Sequence, residues 1–117
     1  MTPEEIRAKV EEFGRPDIVK ETDLPIWGDQ FFKKISAADR FELIGIAEAN
    51  GGKGLPAAVA IAATWCTEDG TLIYKNLAEG LKAINAMRPE QHDPLAGPAL
   101  RVSGMGPKQM EDAEGKS

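Results

Sequence analysis

Residues 56–66, PAAVAIAATWC, decide the fold, because they contain no charged side chain and are dominated by alanine. Pro56 suits the first turn of an α-helix, where its missing N–H would have no partner. A helix without a polar face must be covered on all sides. The sequence therefore predicts a buried central helix over 56–66, in which Trp65 fills the core and Cys66 ends the helix as a small hydrophobe.

The chain on the N-terminal side of this segment carries two helix signals with polar caps. Thr2 precedes Pro3 at the start of a short, highly charged helix that should lie on the surface and end at Gly14. Ser36 caps a second helix, which the glycine-rich sequence NGGKG at 50–54 ends. The apolar face of this second helix is predicted to comprise Phe41, Leu43, Ile44 and Ala47.

A β-hairpin is predicted between these two helices, where β-branched and aromatic residues are frequent. Its strands would cover 22–27 and 30–35, with the turn at Trp27-Gly28-Asp29-Gln30. Pro25 would confine the first strand to the edge of a sheet, because proline has no N–H to donate to a second neighbour.

The C-terminal half is predicted to contain a turn, further helices and a tail. A tight turn at 68–71 leads to a short extended piece at 72–74 and then to a helix capped by Asn76. The apolar stripe of that helix comprises Leu77, Leu81, Ile84 and Met87. One further helix fits before Gly104, broken or bent at Pro98.

The combined pattern predicts a mainly α fold of four to five helices, with a short β-hairpin near residues 22–35. A single helical domain would occupy 1–103. Residues 104–117 have almost nothing apolar to bury and should form a flexible tail.

Composition narrows the classes of function. The 117 residues carry a net charge of −5 without a basic stripe, which argues against nucleic-acid binding. The single cysteine cannot form an internal disulfide, which favours a reducing cytoplasm. No apolar run is long enough to span a bilayer, and the charged N-terminus does not resemble a signal peptide. We therefore expect a cytoplasmic protein without membrane contact.

The candidate chemical groups are too few for a convincing active site. Cys66 and the single histidine, His92, are far apart in sequence, and together they cannot supply the four ligands of a zinc site. The sequence around Gly70 lacks the ligand spacing of a calcium loop, and GGKG lacks that of a phosphate-binding loop. We expect no enzymatic activity, no metal and no cofactor. An enzyme acting through Cys66 is the least favoured alternative.

An aromatic group near the predicted hairpin is the best candidate for a binding surface. Trp27, Phe31 and Phe32 lie close together in sequence, and aromatic side chains are enriched at the energetic centres of interfaces. For Trp27, core packing and interface contact remain open alternatives. We predict that these three residues contact a protein partner, with the tail after Gly104 as a secondary contact.

The order of these features resembles the tail assembly chaperones of siphophages, the long-tailed bacteriophages. LPIWGDQFFKKISAADRFEL at 24–43 resembles the family's tryptophan-glycine hairpin and the capped helix that follows. AAVAIAATWCTEDGTLIY at 57–74 resembles its apolar segment with an Asp-Gly turn and a following aromatic residue. NLAEGLKAI at 76–84 resembles the next helix, and MEDAEGKS at 110–117 the short charged ending.

The resemblance implies a non-enzymatic role in the cytoplasm of the host cell. Such chaperones bind the tape measure protein, help to recruit tail-tube subunits and are absent from the mature virion. Self-association would suit the coating of a filament. The alternative is a small cytoplasmic adaptor or regulatory protein-binding domain unrelated to phage tails.

Overall fold

A computed structural model of the chain describes residues 1–13, 17–52 and 54–105. The elements in chain order are α1 (Pro3–Phe13), β1 (Ile18–Leu24), β2 (Gly28–Lys33), α2 (Ala37–Ala49), α3 (Ala57–Thr64), β3 (Trp65–Cys66), α4 (Leu77–Asn85) and α5 (Pro89–Ser103). The described residues thus form five helices and a three-stranded antiparallel sheet. The fold is mixed α and β rather than mainly α, while the predicted number of helices and the presence of a hairpin are confirmed.

The sheet has the order β1-β2-β3, and β1 lies at its edge as predicted. The hairpin between β1 and β2 exists, but its strands are displaced toward the N-terminus from the predicted 22–27 and 30–35. Leu24 pairs with Gly28 across the turn, so the turn residues are 25–27 rather than 27–30. Pro25 explains the displacement, because a residue without an N–H cannot continue the ladder beyond Leu24.

The predicted N-terminal caps of three helices are confirmed. The backbone N–H of Glu5 donates to Thr2 Oγ1 over 3.2 Å, and that of Asp39 donates to Ser36 Oγ over 3.1 Å. Two N–H groups of α4 donate to Asn76 Oδ1. Each cap is a contact between residues close in sequence, so local composition is enough to predict it.

The predicted C-terminal ends of α1 and α2 can be compared with the structure only in part. Gly51, at the end of α2, takes a left-handed φ of 76°, as the glycine-rich sequence predicted. Residues 3–12 of helix α1 are exposed, in agreement with a surface position, while the predicted stop at Gly14 lies outside the described residues.

The apolar face of α2 was predicted correctly except at Phe41. Leu43 and Ala47 are buried, but Phe41 is 82% exposed. Residues two positions apart on a helix point in nearly opposite directions, so Phe41 and Leu43 cannot share a face. Phe41 is therefore an exposed aromatic residue and does not belong to the core.

Helix α3 is the buried centre of the structure, as predicted. Ala60 and Ile61 have no exposed surface, and α3 packs against both α4 and α5. The helix ends at Thr64, however, and Trp65 turns into extended backbone with φ −64° and ψ 123°. Cys66 thus lies in β3 and not at the end of a helix. The backbone of β2 provides pairing partners for β3. This pairing outweighs the helix propensity of residues 65–66.

Helix α5 runs without a break through both of its internal prolines, Pro94 and Pro98. Of the two predicted alternatives, a break or a bend at Pro98, the break is therefore wrong. Pro98 lies on the face that is buried, together with Leu95 and Ala99. Packing of α5 against α3 keeps the helix continuous despite the lost hydrogen bonds.

The packed chain continues beyond the predicted domain boundary at 103. Gly104 ends α5 with a left-handed φ of 67°, and the side chain of Met105 is completely buried. The N–H of Leu55 donates to the carbonyl oxygen of Met105 over 2.9 Å. The remainder of the predicted tail, 106–117, lies outside the described residues.

Among the helices of the described part, none has both the length and the apolar character that a membrane span requires.

The close approach of α3 and α4 depends on Gly80, and this can be tested. A Cβ atom at Gly80 would lie 2.9 Å from Ala62 Cβ, whereas one at Gly45 in α2 would meet nothing within 4 Å. We expect Gly80→Ala to lower the free energy of unfolding by about 1–3 kcal/mol through overpacking. Gly45→Ala should raise it by about 0.5–1 kcal/mol, because alanine favours helix. Urea unfolding measures both variants. A Gly80→Ala protein as stable as Gly45→Ala would contradict this packing.

Candidate functional site

A cluster of aromatic side chains joins the hairpin to the rest of the fold. The ring centroids of Trp27 and Trp65 lie 5.2 Å apart at an angle of 78°, an edge-to-face arrangement. The centroid of the Tyr74 ring lies 6.5 Å from that of Trp65. We call Trp27, Gln30, Trp65 and Tyr74 the tryptophan cluster. Edge-to-face pairs of this kind are favourable beyond the area that they bury.

Gln30 is the polar centre of the tryptophan cluster. Its Oε1 accepts the indole N–H of Trp65 over 2.9 Å, and its Nε2 donates to the backbone oxygen of Trp27 over 3.0 Å. The indole N–H of Trp27 in turn donates to the carbonyl oxygen of Gln91 in α5 over 2.7 Å. Both indole donors are thereby satisfied in a half-buried setting, and the hairpin turn is connected to β3 and to α5.

The three predicted contact residues have different surroundings. Trp27 and Phe31 are half-buried, so each retains surface that a partner could reach. Phe32 has no exposed surface and belongs to the core. It pairs with Trp65 in the sheet and with Val19 on the opposite side. Direct contact with a partner is therefore not available to Phe32 in this fold, while contact by Trp27 and Phe31 remains a prediction.

The exposed apolar side chains lie on several elements, and sequence reasoning missed most of them as candidates. The large exposed ones are Met1, Ile6, Val10, Ile26, Phe41 and Ile73. Ile26 lies in the hairpin turn, and Phe41 lies on the outer face of α2. For Ile26, the position directly after Pro25 was the available signal, because proline is favoured at the second position of turns.

A shallow groove lies between α2, α3 and the segment that precedes α4. Its volume is about 230 Å³, and its lining comprises Asp39, Glu42, Leu43, Ala62, Ala63, Leu72, Tyr74, Lys75 and Leu77. Five of the lining residues are aliphatic, while two carry carboxylates and one carries an ammonium group. This mixture offers no set of converging groups that would define a reaction.

Cys66 and the turn that follows it have structural roles. Cys66 is buried, and this burial raises the pKa of its thiol, with a further increase from the Asp69 carboxylate and an opposing effect of the Lys33 charge. The Asp69 carboxylate accepts hydrogen bonds from the Thr67 hydroxyl and the Thr71 N–H, which lower its own pKa. The thiol is thus protonated at neutral pH and held beside a stable turn, while His92 lies on α5 next to Asp93.

Comparison with protein-family models, with curated proteins and with solved structures finds no match to this chain. Function must therefore be inferred from its own side chains and their arrangement.

The hydrogen bond from Trp27 to α5 should contribute to stability. Trp27→Phe keeps an aromatic ring in the tryptophan cluster but removes the donor to the Gln91 carbonyl. We expect the free energy of unfolding to fall by about 1–2 kcal/mol, for the lost bond and the smaller ring. Urea unfolding followed by the fluorescence of Trp65 measures the change. An unchanged midpoint would show that the bond contributes nothing.

The burial of Cys66 predicts slow alkylation. Iodoacetamide reacts with the thiolate, so a buried thiol with a raised pKa should react at pH 7 much more slowly than a free thiol, and should react rapidly once urea unfolds the chain. A suitable control is Lys82→Cys in a Cys66→Ala background, because Lys82 is exposed on α4. If native Cys66 reacts as fast as this control, the buried position of the thiol is wrong.

Proposed function

We propose that this protein is a siphophage tail assembly chaperone that binds the tape measure protein and helps to recruit tail-tube subunits. The observation that carries the proposal is the ordered set of motifs over roughly residues 20–90. The motif segments are also neighbours in space, which supports reading them as one unit. Strand β2 of the first segment pairs with β3 of the second, and α3 packs against α4 of the third.

The distribution of exposed apolar side chains also supports the proposal. A long helical tape measure protein presents apolar seams that aggregate unless they are covered. Ile6 and Val10 lie one helical turn apart on α1, while Ile26 lies in the hairpin turn. Many copies with several weak contacts each can cover such seams reversibly, with avidity in place of one tight site. Self-association of the chaperone would add to this avidity.

Among the predicted contact residues, Trp27 and Phe31 keep exposed surface. Phe31 lies in β2, where Lys20 on the neighbouring strand is its cross-strand partner. The Lys20 ammonium lies 6.0 Å from the centroid of the Phe31 ring. The hairpin thus presents a partly exposed aromatic side chain, and aromatic side chains are enriched at protein interfaces.

Co-expression with the tape measure protein of the same genome tests the proposal. We expect affinity-tagged wild-type protein to retain the tape measure protein on a column and to keep it soluble. Phe31→Ala should reduce this retention by about tenfold, as expected for an interface aromatic residue. Phe41→Gln is the matched control, since it removes another exposed aromatic side chain, which lies on α2 and not in the hairpin.

Circular dichroism of each variant separates lost binding from lost folding. If a folded wild-type protein retains neither the tape measure protein nor tail-tube subunits, the proposal is wrong. Gene order gives an independent check, because a chaperone of this type is expected between a tube-protein gene and a very long tape-measure gene. An isolated gene would favour the adaptor alternative.

A further inference from the structure

The turn of the hairpin contains an unusual residue, Ile26. Its φ is 71°, in the left-handed region, and its side chain is 66% exposed. Glycine, asparagine and aspartate enter this region at low cost, whereas for a β-branched residue it is a true outlier. Asp23, with φ 55°, is an example of a tolerated residue in the same hairpin.

The surrounding structure holds Ile26 in this conformation. Leu24 and Gly28 pair on either side of the turn, and the carbonyl oxygen of Trp27 accepts a hydrogen bond from Gln30. The indole of Trp27 is fixed to the Gln91 carbonyl in α5. The strain is therefore imposed by the fold. Because the Ile26 side chain is mostly exposed, its packing recovers little of the cost in the free protein.

We propose that Ile26 is a contact residue that inserts into an apolar recess on the tape measure protein. The proposal rests on the function proposed above and changes the predicted centre of the surface. Phe32 is buried and the Trp27 indole is already engaged, so the side chain best placed to enter a partner is the one between Pro25 and Trp27.

Charge identifies the kind of recess. The carboxylates of Asp23 and Asp29 lie beside the turn, where Asp29 Oδ1 accepts the backbone N–H of Asp23. Lys20 Nζ lies 3.6 Å from Asp29 Oδ2, but no ion pair joins Asp23 to another residue of the described part. Lysine or arginine at the border of the recess would complement this charge. The net charge of −5 disfavours an anionic membrane as the partner.

A fixed turn also favours binding through low entropy cost. The backbone of the hairpin is ordered before association, so little conformational freedom is lost when Ile26 enters a recess. Burial of an isoleucine side chain is sufficient for a measurable share of the affinity. The left-handed conformation at Ile26 thus costs free energy in the unbound protein, and burial of the side chain in the complex offsets this cost.

The decisive variant is Ile26→Asn in the full-length chain, because asparagine tolerates the left-handed region. We expect its thermal unfolding midpoint to rise by about 4–8 °C. Its binding to the purified tape measure protein of the same genome, measured by calorimetry, should weaken by about 10- to 100-fold. Ile26→Val keeps a branched apolar side chain and should preserve both the strain and the binding. Phe41→Gln should bind like wild type.

Each other outcome contradicts a specific statement. If Ile26→Asn binds the tape measure protein as tightly as wild type does, Ile26 is not a contact residue, while the proposed function still stands. If the thermal unfolding midpoint of Ile26→Asn is at or below that of wild type, the statement that Ile26 is strained is wrong. Absence of wild-type binding would overturn the proposed function and the named partner together. If wild type binds phosphatidylcholine–phosphatidylglycerol vesicles and Ile26→Asn does not, Ile26 contacts a lipid surface instead of the tape measure protein.

Discussion

Two indole N–H groups in a half-buried cluster need hydrogen-bond acceptors. The bonds that they form connect the hairpin to β3 and to α5. Trp65 donates to the Gln30 side chain, and Trp27 donates to the Gln91 carbonyl. The second bond joins residues 64 positions apart in sequence. An indole donor left without a partner in such a setting would cost about 1–3 kcal/mol. These bonds therefore determine where the hairpin lies on α5 and, through Gln30, where β3 meets β2.

This arrangement has a consequence for function. Trp27, one of the three side chains predicted to contact a partner, donates its indole N–H to α5 and thereby holds the hairpin in place. This bond fixes the adjacent turn, and the turn presents Ile26 in a strained and exposed conformation. The residues that stabilise the hairpin and the residue proposed to contact a partner are thus neighbours in sequence. The aromatic cluster acts as the support of the proposed surface, and an aliphatic residue forms its tip.

The features that local sequence could predict are those that depend on neighbouring residues. The caps at Thr2, Ser36 and Asn76 are bonds between groups two or three positions apart, and all three were predicted. The absence of charge over 56–66 was enough to predict a buried central helix, because such a segment is stable only when it is covered. The existence of the hairpin followed from β-branched and aromatic residues near a turn signal.

The sequence by itself thus determined the presence of the helices, three of their caps, the buried centre and the presence of a hairpin. Only the tertiary structure decided that residues 65–66 form a strand, that Phe32 is buried, and that Ile26 is exposed while Trp27 is half-buried. These features depend on partners distant in sequence, such as the pairing of β2 with β3. Periodicity cannot identify those partners, because backbone pairing and burial are settled only when separate segments meet.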